Sequence, residues 1–97
     1  MPPHPTLASV VRIKENVLFQ ESDGESVLLN LTSGVYFGLD ALGTRIWQLL
    51  SDYEVLAEIA GAIVVEYDVS EERCAADLIA LVAALEQNGL VTVSERT

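Results

Sequence analysis

Few residues in this chain have the types and spacing for chemistry. His4 is the only histidine and Cys74 the only cysteine. A nucleophile–base pair needs two such groups held rigidly together. His4 lies among prolines in Met1-Pro2-Pro3-His4-Pro5, a poor support for a general base. Cys74 sits on an apolar helical stripe with no Lys or His beside it in sequence to lower its pKa, so it reads as a small hydrophobe. Glu72 and Asp77 are five residues apart on that helix, a separation at which carboxylates do not face each other. Glu71 and Glu72 instead suit the first turn, where the helix dipole favours negative charge. Gly34, Gly38 and Gly43 lack the phosphate-binding spacing, and no Lys follows them. One cysteine excludes an internal disulfide, and one His with one Cys cannot build the usual zinc sites. The expectation is a protein without enzymatic activity, cofactor or metal.

Binding chemistry is better supported. Arg73 and Asp77 are four apart and share a helix face, where they either pair with each other or flank a groove. The run Val35-Tyr36-Phe37-Gly38-Leu39 carries no charge. Such a strand at the edge of a small sheet is a liability unless something covers it. An extended peptide adding through main-chain hydrogen bonds would do so.

The elements that position these residues follow from local pattern. Val11–Ile13 can begin a strand. Val17–Glu21 is β-rich, Ser22-Asp23-Gly24 is a turn, and Glu25–Leu31 places Val27, Leu29 and Leu31 on one face and Ser26, Leu28 and Asn30 on the other. Thr32-Ser33-Gly34 turns the chain into Val35–Leu39, which completes an antiparallel three-stranded meander. Asp40 is a helix N-cap, and Leu42, Ile46, Leu49 and Leu50 form the stripe of a first helix, with Trp47 as core. A second helix runs from about Val55 to Glu66, burying Leu56, Ile59, Ala60 and Ile63. Ser70 caps a third, whose stripe is Cys74, Leu78, Leu81, Val82 and Leu85 and which stops at Asn88-Gly89. Leu90–Val93 can add a short strand. The fold class is α+β, winged-helix-like, with an N-terminal three-stranded antiparallel sheet followed by three helices. The organisation is a flexible arm over 1–10, one domain over 11–93 and a tail over 94–97.

Composition excludes other functions. The 97 residues suffice for one domain, and 51% hydrophobic content argues against disorder. No apolar run is long enough for a membrane span, and the N-terminus has no signal core, so a cytoplasmic location without membrane contact is expected. Net charge is −10. Asp52, Glu54, Glu58, Glu66, Asp68, Glu71 and Glu72 form one run with no basic residue among them. The second and third helices would suit a winged-helix DNA-binding protein, but Glu71, Glu72, Asp77 and Glu86 against Arg73 give the third the wrong sign for phosphates, so no nucleic-acid partner is expected. An adaptor that dimerises through its open edge is a further class; a monomer awaiting its peptide is preferred.

The run Leu28-Leu29-Asn30-Leu31-Thr32-Ser33-Gly34-Val35-Tyr36-Phe37-Gly38-Leu39-Asp40, with Gly43, Ile46 and Trp47, resembles the front half of PqqD-like proteins. Glu58-Ile59-Ala60, Glu66-Tyr67-Asp68-Val69, Asp77-Leu78, Leu85 and Gly89-Leu90-Val91 match the second half, so the resemblance spans about residues 11 to 93. It implies a non-catalytic module that captures the leader of a ribosomally made precursor peptide. The leader would add as a strand to Val35–Leu39, in a groove closed by Arg73, Cys74, Asp77 and Leu81 of the third helix. The pattern is most similar to the stand-alone leader-binding proteins of lasso peptide pathways, whose partner is a cysteine-protease-like leader peptidase. The resemblance also admits a carrier serving a radical S-adenosylmethionine enzyme.

Overall fold

A computed structural model describes residues 5–95. Among these residues five strands and three helices follow in the order β1 (Ser9–Ile13), β2 (Val17–Ser22), β3 (Glu25–Asn30), β4 (Tyr36–Leu39), α1 (Ala41–Leu50), α2 (Leu56–Tyr67), α3 (Glu71–Gln87) and β5 (Val91–Glu95). The expected meander is present as the antiparallel sheet β2-β3-β4, and three helices follow it. The expected strands at either end pair with each other as a second antiparallel sheet, β1-β5, from Ser9↔Glu95 to Ile13↔Val91.

This pairing shortens the expected arm and tail. Ser9 and Val10 belong to β1, and Ser94 and Glu95 to β5. Residues 5–8 are also docked. Val55 offers α2 no capping side chain, and the Leu7 carbonyl accepts the Ala57 N–H at 2.9 Å. That amide is one of the donors a helix leaves unsatisfied at its start. Residues 1–4 and 96–97, the remainder of the expected arm and tail, lie outside the described residues.

The capping residues act as their types require. Asp40 accepts from the Gly43 N–H at 2.8 Å, and Ser70 accepts from the Arg73 N–H at 3.2 Å. At the end of α3 the Gly89 N–H reaches Glu86 O and the Leu90 N–H reaches Leu85 O. Gly89 has φ +72°, which completes a Schellman stop, with Leu85 and Leu90 buried.

One core holds these elements. Leu56, Ile59, Ala60 and Ile63 of α2 face Cys74, Leu78, Val82 and Leu85 of α3, and α1 contributes Ile46, Trp47, Leu49 and Leu50. Each fully buried aliphatic chain contributes about 1.5–3 kcal/mol. Phe19 stacks on Trp47 with ring centroids 6.5 Å apart. The face of β3 turned to this core is Ser26, Leu28 and Asn30, while the more apolar Val27 and Leu31 stand exposed. The two inward polar groups are satisfied. Ser26 Oγ lies 2.7 Å from Thr44 Oγ1 of α1, and the Asn30 side chain joins β3 to the end of α3.

Candidate peptide-binding edge

Among the described residues β4 has one strand neighbour, β3, with Leu29↔Tyr36, Leu28↔Phe37, Val27↔Gly38 and Ser26↔Leu39 opposite each other. The Asn30 N–H donates to Val35 O at 2.9 Å. In an antiparallel ladder, residues alternate between pairing inward and pointing outward. Val35, Phe37 and Leu39 therefore direct their main-chain groups to β3. Tyr36 and Gly38 direct theirs to the open edge. Val35 lies one residue before β4, because Leu31–Gly34 forms a four-residue loop that closes with Gly34 N–H to Asn30 O at 2.8 Å and Gly34 at φ +77°.

Asn30 sets that loop. Its Oδ1 accepts from Thr32 N–H at 2.9 Å, Ser33 N–H at 3.1 Å and Asn16 Nδ2 at 2.9 Å. Its Nδ2 donates to Asn88 O at 2.9 Å. The start of β4 is thus tied to the C-terminus of α3.

Beside β4 lies a cavity of about 470 Å³ lined by Phe37, Gly38, Leu39, Asp40, Leu42, Gly43, Ile46, Asp77 and Leu81. Its floor is apolar, and its charged lining residues are Asp40 and Asp77. Gly43 keeps α1 close beneath β4: a Cβ there would stand 3.1 Å from Leu39 Cδ2 and 3.2 Å from Asp40 Oδ1.

The structure gathers Phe37, Gly38, Leu39, Asp77 and Leu81 on this cavity. Tyr36 stands 70% exposed on the opposite face of the sheet, and Val35 is exposed before it. Arg73 is outside the lining and pairs with Asp77 at 3.7 Å on the surface. Cys74 turns away from the cavity into the α2–α3 seam, where its Sγ lies 3.7 Å from Ala60 O. Burial, and secondarily the charge of Asp77, push its thiol pKa up, which leaves it the neutral core residue its sequence context describes. Asp40, Leu42, Gly43 and Ile46 join the site without having been assigned to it. Asp40 caps α1 and the other three lie within it, the helix that immediately follows β4 in sequence.

Among the described residues no helix is long and apolar enough to cross a membrane. Among the described residues no group of three or more His, Cys, Asp or Glu is placed to hold a metal ion.

The sequence and the fold are similar to known proteins. The profile of coenzyme PQQ synthesis protein D (PqqD) matches residues 25–91. The structure of TbiB1 in complex with the TbiA(beta) leader peptide is similar at TM-score 0.78 and 41% identity, covering 82% of this chain and 93% of that one. The structure of lasso peptide synthetase B1 complexed with the leader peptide is similar at TM-score 0.75 and 30% identity, covering 84% of this chain and 96% of that one. No curated protein sequence matches the chain.

Proposed function

The chain belongs to the PqqD family, and from that premise we propose that it is a non-catalytic recognition module for the leader of a ribosomally made precursor peptide in lasso peptide maturation. The leader adds to β4 as a fourth strand, beside α3, and the complex is presented to a partner leader peptidase. The carrying observation is the outward direction of the Tyr36 and Gly38 main-chain groups next to a cavity floored by Leu42, Ile46 and Leu81. Main-chain pairing supplies affinity and the cavity supplies side-chain choice, the division of labour in strand addition. Two relatives at 41% and 30% identity have structures with leader peptides, which supports the same ligand class here.

In this reading Val35, Tyr36, Phe37, Gly38 and Leu39 form the strand side of the site. Asp77 and Leu81 form the helix side, Arg73 fixes Asp77 at the rim, and Cys74 supports the helix from behind. The protein is a monomer before it meets its peptide.

Titration of the chain into the fluorescein-labelled TbiA(beta) leader, and into the labelled leader peptide of the lasso peptide synthetase B1 complex, gives saturable anisotropy with at least one. No saturation with either contradicts the proposal.

A further inference from the structure

Gly38 is not explained by the fold it belongs to. Its φ lies outside the left-handed range, and a Cβ built on it would meet nothing within 4 Å. Gly43, five residues on, is different, since Leu39 and Asp40 crowd the place of its Cβ. A glycine inside a strand weakens it and often marks the close approach of another chain. Here it lies in a strand of four residues with an open edge, where β-formers would serve stability better.

Its surroundings indicate what approaches. Gly38 lies opposite Val27 and on the same face as Tyr36. That face is otherwise uncovered, with Tyr36 70% and Val27 42% exposed. Gly38 is also a wall of both the cavity beside α3 and a second hollow of about 600 Å³ that reaches Val27 and Asp40. The main chain of Gly38 points outward, so a residue added opposite it forms a hydrogen-bonded pair with its side chain on this same face. A large side chain there can lie across the glycine onto Val27, as aromatic residues do over edge glycines.

We propose that Gly38 is the size-selecting position of the peptide edge: a bulky apolar or aromatic side chain of the bound peptide occupies the space above Gly38 and packs on Val27. The inference rests on strand addition at β4 and assigns to the peptide one large apolar residue on the outer face, separate from whatever enters the cavity beside α3.

The test uses the full chain with Gly38→Ala and Gly38→Val. The probes are the TbiA(beta) leader and a peptide selected on the wild-type chain from a displayed library of random 16-residue sequences. Both variants melt at the wild-type temperature or above it, because the new side chain fits the backbone. Both bind the probe at least tenfold more weakly. An alanine scan of the probe then finds one bulky residue whose truncation weakens binding to the wild type and not to Gly38→Val. Unchanged affinity in both variants overturns the inference while leaving peptide binding intact. So does a clear fall in melting temperature, which would assign Gly38 to the fold, or an alanine scan with no such residue. Failure of the wild type to bind either probe overturns peptide binding itself, and the inference with it.

Discussion

The side-chain amide of Asn30 and the backbone of Gly89 share one space. Asn30 Nδ2 lies 2.9 Å from Asn88 O, and a Cβ on Gly89 would stand 2.8 Å from that nitrogen. The contact joins the loop that launches β4 to the stop of α3, so the two walls of the proposed peptide site are positioned by one polar group. Asn30→Ala is expected to cost roughly 2–3 kcal/mol, because it leaves loop amides and a helix-end carbonyl without their partner. Asn30→Asp keeps the acceptor for the loop and loses the donor to α3. Gly89→Ala adds left-handed strain of about 1–2 kcal/mol to the crowding. Urea unfolding of the three variants checks that each is less stable than the wild type, and wild-type stability in Asn30→Ala would refute the role of this contact.

The buried pair Ser26–Thr44 makes a separate prediction. Its oxygens are 2.7 Å apart and link β3 to α1. Ser26→Ala alone strands the Thr44 hydroxyl and costs about 1–3 kcal/mol. The double change Ser26→Ala with Thr44→Val removes both polar groups and restores most of that loss. Denaturant midpoints of the two singles and the double close the cycle, and simple additivity would contradict a direct bond.

Tyr36→Pro separates ligand pairing from folding. The Tyr36 N–H points away from β3, so the ring removes a donor only from the open edge. The variant keeps its cooperative melt and binds leader peptide about tenfold more weakly or worse, the scale of one lost hydrogen bond at 1.4 kcal/mol. Unchanged affinity with the fold intact refutes strand addition.

Acid behaviour follows from Arg45 and Glu66. Three hydrogen bonds at 2.7–3.2 Å fork between them and tie α1 to α2. The bond to Arg45 holds the Glu66 carboxyl below its usual 4.5. A lowered folded-state pKa means the stabilisation is present above that usual value and is lost as pH falls through the folded value. Both groups are surface groups, so the effect is modest and weakens with salt. Melting curves from pH 6 to about pH 3 should show part of the acid loss absent in Arg45→Gln. Identical acid limbs in both proteins would count against the pair.

Local signals carried the helices and the meander. Asp40, Ser70 and Asn88-Gly89 mark helix ends through groups within a few residues of themselves. The β1–β5 sheet was legible only as two isolated strand tendencies, because Ser9 pairs with Glu95 and no short window contains both. The orientation of β3 was hidden for another reason. Hydrophobicity favours burying Val27, Leu29 and Leu31, yet Ser26, Leu28 and Asn30 face inward, because Thr44 and the end of α3 supply partners for the two polar side chains. At the candidate site, the uncharged strand was legible from residue type, and the family resemblance pointed to Asp77 and Leu81, which line the cavity beside it. Cys74 was placed with them, but its helix position belongs to the core seam with Leu78 and Val82.

The central claim is that Tyr36 and Gly38 pair with a bound peptide. Amide hydrogen exchange, read residue by residue with and without saturating leader peptide, tests it most directly. Tyr36 and Gly38 should exchange freely in the unbound protein and become strongly protected on binding, while Phe37 and Leu39, already paired with β3, change little. Saturable binding that leaves the Tyr36 and Gly38 amides exchanging as before would contradict the account.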